Sequence, residues 1–121
     1  MTIKRIGMGK RMSACVVYGG VARLSGFVAE AAAGKSVKEQ TADILAQIDA
    51  TLKEAGTDKT KILKVNIWLT SMSGFAMMNE AWDAWVPQGN TPARATVESP
   101  KLAAAGLDVE IMVEAAVEEL A

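Results

Sequence analysis

The sequence contains no histidine, and that absence restricts its chemistry more than any other feature. Without imidazole there is no Ser-His-Asp triad, no histidine general base and no Cys/His zinc pattern. The single cysteine, Cys15, excludes an internal disulfide framework. Charge of either sign is not in excess: 13 Lys plus Arg against 14 Asp plus Glu leave a formal −1, without the basic footprint of a general nucleic-acid binder. Long apolar runs are missing too, and none approaches the roughly 20 residues a membrane helix needs. Met1-Thr2-Ile3-Lys4-Arg5 leads into no signal-peptide core, so a cytoplasmic protein with no membrane partner is expected. What remains for chemistry is Arg, Lys, carboxylates, hydroxyls, backbone groups and water, with no metal or cofactor implied.

No linker, low-complexity tract or long repeat divides the chain, so one domain is expected over 1–121, folded from Ile3 to about Val117. Residues 12 to 28 read as a β-hairpin, with Gly19-Gly20 supplying two positive φ angles at the turn. Val21, Leu24 and Val28 fall on its return strand, and Ser25-Gly26 marks a bulge or a close backbone approach. From Lys61 to Thr70 the pattern alternates, with Leu63, Val65, Ile67 and Leu69 on one face and Lys64, Asn66 and Trp68 on the other. Ala93 to Glu98 and Leu107 to Ala115 repeat that period, and Ile3 to Ile6 is a candidate extra strand.

Two helices are predicted. Ser36 with Glu39 forms a capping box, Val37, Thr41, Ile44, Leu45, Ile48 and Leu52 make an apolar stripe, and Gly56 supplies the stop. A second helix runs from about Ser73 to Trp85, with Phe75, Met78, Trp82 and Trp85 on one side. The resulting class is α+β: a mixed six-stranded sheet with two helices on one face. The opposite face is left uncovered, which makes it a candidate subunit interface.

Few motifs carry chemistry. Gly7-Met8-Gly9-Lys10 lacks the spacing and context of a phosphate loop, so an N-terminal turn is expected. Cys15 lies in an apolar run and reads as a small core residue, and Trp82 with Trp85 as part of a core stripe. The segment Thr91-Pro92-Ala93-Arg94-Ala95-Thr96-Val97-Glu98 is more informative. Ala93, Ala95 and Val97 share a face, which sends Arg94 and Thr96 to the other. Val109-Glu110-Ile111 then places a carboxylate in mid-strand, where an unpaired buried charge is costly. From the residues alone, Arg94 and Glu110 either pair with each other or face solvent.

These pieces resemble the YjgF/RidA family, also called RutC or L-PSP, of reactive intermediate deaminases. The resemblance runs through Ser25-Gly26, Gln40-Thr41…Ile48…Leu52…Ala55-Gly56, Phe75…Met78-Asn79…Trp82, Pro92-Ala93-Arg94 and Val109-Glu110-Ile111. The stretches Asn66-Ile67-Trp68-Leu69 and Met78 to Val86 are most similar to its YoaB-like branch. The resemblance implies a chorismate-mutase-like fold, a homotrimer whose sheets close into a barrel, and ligand clefts between subunits. It also implies hydrolysis of enamines and imines, such as 2-aminoacrylate and other 2-imino acids, to 2-keto acids and ammonia without a cofactor.

By that resemblance Arg94 binds the substrate carboxylate and Glu110 orients or deprotonates the attacking water. Thr96, Asn79, Gly26, Phe27 and Trp82 border the substrate. The chain departs from the family pattern where many deaminases carry Pro-Tyr-Ser, because Arg11-Met12-Ser13 removes the tyrosine hydroxyl. Ser-Gly-Gln likewise reads Ser25-Gly26-Phe27, and Gln47 replaces an asparagine of the first helix. Two other functions fit the same residues: a non-catalytic binding module for small keto acids, and an endoribonuclease or translation inhibitor. The second is disfavoured by the missing histidine and the near-neutral charge.

Overall fold

The computed structural model describes residues 2–118. Strand β1 (Lys4–Ile6) pairs antiparallel with β2 (Cys15–Tyr18), which turns through Gly19 and Gly20 into β3 (Val21–Leu24). Both glycines have positive φ, 61° and 78°, the conformation that matches a tight turn to the twist of its strands. The return strand is shorter than the sequence pattern predicts. It breaks at Ser25-Gly26, and Val28 belongs to a separate two-residue strand, β4 (Phe27–Val28), which pairs with the last strand of the chain. Seven strands therefore replace the six expected.

Helix α1 spans Val37–Glu54, and its cap follows the sequence with one difference. The Ser36 hydroxyl accepts from the Glu39 N–H as expected, but it also donates to the Glu39 carboxylate at 3.1 Å. At the other end, Gly56 sits at φ 85° while its N–H and that of Thr57 reach back to Lys53 and Leu52 carbonyls. This pair of bonds is a Schellman stop, and the left-handed φ is why glycine stands there. Gln40, Thr41, Ile44, Leu45, Ile48 and Leu52 face inward. Gln40, fully buried, holds the far loop. Its amide donates to Lys35 and Gly106 carbonyls, each at 3.0 Å, and its oxygen accepts from the Asp108 N–H.

Strand β5 (Ile62–Leu69) leads through a 3-10 turn into α2 (Phe75–Trp85), which returns the chain to β6 (Ala93–Glu98), parallel to β5. A parallel neighbour requires such a crossover. The helix starts later than its Ser73 signal because Met72–Gly74 close into that turn first. Last, β7 (Val109–Ala116) enters the middle of the sheet, giving the order β1-β2-β3-β7-β5-β6 with β4 also on β7.

Alternation sorts the sheet into two faces. Cys15, Ala22, Leu24, Val65, Ile67, Leu69, Val109, Ile111, Val113 and Ala115 join the α1 and α2 side chains in one core. On the opposite face Asn66, Trp68, Met112 and Glu114 are only half-buried, and no element among the described residues covers them. One residue breaks the expected pattern: Leu63 is 51% exposed. A register shift between Ile62 and Lys64 puts Ile62 into the core in its place. An extra residue in one strand inverts the alternation on one side of it.

Candidate functional site

The register of β5 and β6 decides where Arg94 points. In a pair of strands, residues in register share a face, and Arg94 lies beside Val65 and Thr96 beside Ile67. Both therefore stand on the helix-covered face, while Ala93, Ala95 and Val97 look outward, exposed. The apolar side of this edge strand is thus the one facing away from the chain's own core.

Above Arg94 lies α2. One stripe of that helix, Phe75, Met78, Asn79 and Trp82, surrounds the guanidinium. Arg94 donates from Nη1 to Asn79 Oδ1 at 2.9 Å, with Met78 Sδ 3.9 Å away. Its Cζ stands 5.2 Å from the Trp82 ring centre and 5.8 Å from that of Phe75, distances at which a cation is attracted to an aromatic face. No carboxylate pairs with Arg94 among the described residues. A half-buried, oriented cation with no counter-ion is suited to an external carboxylate, which the planar fork can take through two bonds. Two residues on, along the same edge strand, the Thr96 hydroxyl is buried with no hydrogen-bond partner among the described residues.

Glu110 lies elsewhere. It is in register with Trp68 on one side and Val28 on the other, so its side chain leaves the uncovered face. Arg94 and Glu110 consequently point to opposite sides of the sheet, and the internal ion pair that the residues alone allowed does not form. The neighbour of Glu110 is Gly26: a Cβ at that position would overlap the carboxylate, with Cδ 2.9 Å away. Phe27 is in register with Ile111 and packs against the core. Six of the seven sequence-derived site residues thus fall into two groups. Arg94, Asn79, Trp82 and Thr96 make one, Gly26 and Glu110 the other, and Phe27 packs against the core instead.

Sequence reasoning placed Phe75 and Met78 on the helix stripe without assigning them to the arginine. Their signal was helical spacing: positions three, four and seven apart share a face with Asn79 and Trp82. It did not find Ser25 as a tie. The Ser25 hydroxyl donates to the Ser13 carbonyl at 2.6 Å and its N–H to Ala14, which fastens the loop from Gly7 to Ala14 beside Gly26. Cys15 is fully buried, and burial pushes its thiol above the ordinary thiol range. That fits a small core residue and opposes a nucleophile. Among the described residues no group of His, Cys, Asp or Glu is arranged to hold a metal, and no helix is long and apolar enough to cross a membrane.

Two grooves lie away from Arg94. One of about 530 Å³ lies under the loop from Pro100 to Asp108, and one of about 460 Å³ lies between β4 and α1, lined by Gly26, Phe27, Val28, Glu30, Asp43 and Gln47. Neither contains Arg94 or Glu110.

Comparison with known proteins agrees with this architecture. The family model described as Endoribonuclease L-PSP matches residues 2–117. A RutC family protein of Haemophilus influenzae is 39% identical over 113 residues, 93% of this chain and 97% of that one. The RutC family protein YoaB of Escherichia coli is 42% identical over 99 residues, covering 82% of this chain and 85% of that protein. Among solved structures, a YjgF-family protein of Neisseria meningitidis superposes with a TM-score of 0.93 at 45% identity, covering 99% of this chain and 98% of that one. With the fold, the Pro-Ala-Arg strand and the mid-strand glutamate all in place, the chain belongs to the YjgF/RidA (RutC, L-PSP) family.

Proposed function

We propose that the protein hydrolyses 2-imino acids and their enamine tautomers to 2-keto acids and ammonia, in a cleft formed where copies of the chain meet. The observation that carries this reading is the Arg94 guanidinium, held by Asn79 and flanked by two aromatic rings, with no carboxylate of its own. A ligand carboxylate supplies the missing counter-charge. Glu110, without an ion pair among the described residues, is the complementary group for water.

Because the two side chains leave opposite faces of one sheet, a single copy does not bring them together. In a homotrimer the edge strand β6 of one copy, which carries Arg94, lies against the open sheet face of the next, which carries Glu110. The face offers suitable surface: Val97, Trp68 and Glu110 stand in one row across β6, β5 and β7, with Ala95, Asn66 and Met112 in the next.

The reaction needs little from the protein, since an imine carbon is already electrophilic. With its carboxylate on Arg94, the substrate presents that carbon to a water on Glu110. The carboxylate accepts a proton as the water oxygen bonds to carbon and returns it to nitrogen, giving a neutral carbinolamine. The hydroxyl proton then passes through the same carboxylate to nitrogen as the C=O bond forms and the C–N bond breaks, so imine plus water becomes keto acid plus ammonia. Positioning and proton transfer are the two contributions asked of the site.

A second reading, keto-acid binding without turnover, is favoured by Met12, 65% exposed where the family pattern would put a tyrosine hydroxyl. One experiment separates the readings. Imines generated from several amino acids are offered to the wild type, Arg94→Ala and Glu110→Gln, and keto acid is measured with parallel calorimetry. Deaminase action predicts turnover above buffer that falls at least about a hundredfold in Arg94→Ala, as loss of an oriented, charge-assisted bidentate grip would cause. Keto-acid binding without any imine turnover selects the binding module. RNA cleavage that disappears in Arg94→Ala, with no effect on imines, selects the activity in the family model's name.

A further inference from the structure

The helical layer has a groove of its own, apart from Arg94. About 370 Å³ in volume, it runs between α1 and α2, which is within the range of small-molecule sites. Leu45 and Ala81, both buried, form its floor, and Ala42, Ala84 and the Trp85 ring form its walls. Ala42 and Ala84 are exposed, so a larger side chain at either position would fill the space between the helices.

The two ends of the groove differ in charge. At one, Lys38 and Glu80 bridge the helices at 3.3 Å and cancel. At the other stands Lys59, from the 3-10 turn Lys59–Lys61. Its Nζ donates to the Trp85 carbonyl at 2.7 Å and lies 5.2 Å from the Trp85 ring centre. That carbonyl ends α2, where a cation also meets the negative end of the helix dipole. The contact uses one of three ammonium donors. No carboxylate pairs with Lys59 among the described residues. Asp49, the acid beside Trp85, is engaged by the indole Nε1–H at 2.9 Å. Trp85 is thus a wall held through its indole and its carbonyl, and Lys59 is a half-buried, oriented cation beside it.

From this arrangement we infer that the groove binds a hydrophobic monocarboxylate with an aromatic tail. The tail lies on Leu45, Ala81 and the Trp85 ring, and the carboxylate takes the two remaining donors of Lys59. Charge selects this occupant. A neutral molecule leaves Lys59 without a counter-ion, a cation meets Lys59 at close range, and a second carboxylate would be carried toward Glu80. The site is separate from Arg94 and does not depend on the deaminase reading. The helices carry it on the side of the sheet away from the open face, so copies packed on that face leave it accessible.

Three probes of one shape test the assignment on the intact protein: 4-phenylbutanoate, 4-phenylbutanamide and 4-phenylbutylamine. Binding is followed by calorimetry and by the Trp85 indole N–H resonance, in the wild type and in Arg94→Ala. The acid should bind at least about tenfold more tightly than the amide, the scale of one charge-assisted contact. It should shift the Trp85 resonance equally in both proteins. Lys59→Gln keeps a donor for the Trp85 carbonyl but removes the charge, so the preference should fall to about one. It should persist in Lys59→Arg and shrink as salt rises. Ala84→Glu, which fills the groove from an exposed position, should abolish the resonance shift while leaving the thermal midpoint close to wild type. Equal binding of acid and amide overturns the assignment, as does tightest binding of the amine or a Trp85 resonance that no probe moves. Acid binding that is lost in Arg94→Ala but survives Ala84→Glu also overturns it, by placing the ligand at Arg94. So does a light-scattering mass that climbs with protein concentration and stops climbing in Ala84→Glu, because a second copy then fills the groove.

Discussion

Gly26 shows how much one missing atom can matter. Any side chain there would occupy the space of the Glu110 carboxylate, so glycine sets where that carboxylate stands. Gly26→Ala should therefore act through Glu110, lowering kcat more than it raises KM while leaving the thermal midpoint close to wild type. Combining it with Glu110→Asp, which shortens the acid, should recover part of the loss. A kinetic comparison of the three variants checks this, and additive losses would refute it. The sequence flagged Ser25-Gly26 as a close approach, yet it carried no sign of what approached. Arg94 tells a similar story. Its alternation with Ala93 and Ala95 was legible, but which face the helices cover was not, because both faces of β6 have something to bury.

At the scale of elements, most of the architecture follows from local signals. Gly19-Gly20, the Ser36 cap and the Gly56 stop each work within a few residues of themselves, and each lies where the pattern put it. Departures occur where a neighbouring strand has the deciding role. Val28 leaves the hairpin because β7 offers it a partner, and Leu63 turns outward because β5 shifts register against β7. The bulge makes a sharp prediction. Ile62→Ala should cost about 2–5 kcal/mol, the cost of deleting a buried aliphatic side chain. Leu63→Ala, one residue on, should stay within about 0.5 kcal/mol. Denaturant unfolding of both variants decides it, and equal costs would mean the register differs from the one described.

For the whole molecule, the open sheet face is the unresolved element of the single chain. Trp68 and Met112 are half-buried there, and Val97 is 49% exposed. If copies pack on this face as proposed, Trp68→Arg should lower the light-scattering mass from that of a trimer to that of one chain of 12.8 kDa. The variant should also lose imine turnover, since Arg94 and Glu110 would no longer face a common cleft. A wild-type mass of one chain would remove the basis for a shared site.

Composition and short-range pattern determined the class of this protein: an α+β chain without imidazole, whose polar chemistry has to rest on arginine, lysine, carboxylates, hydroxyls and backbone groups. Those features are local or additive, so they can be read residue by residue. The separation of Arg94 from Glu110 could be decided only in three dimensions. Alternation fixes which residues share a side of their own strand, but the relation between two strands depends on register and on which side the helices cover. Those depend on contacts among β4, β5, β6 and β7, far apart along the chain. The missing histidine narrows the chemistry; the fold divides what remains into two halves on opposite faces of one sheet.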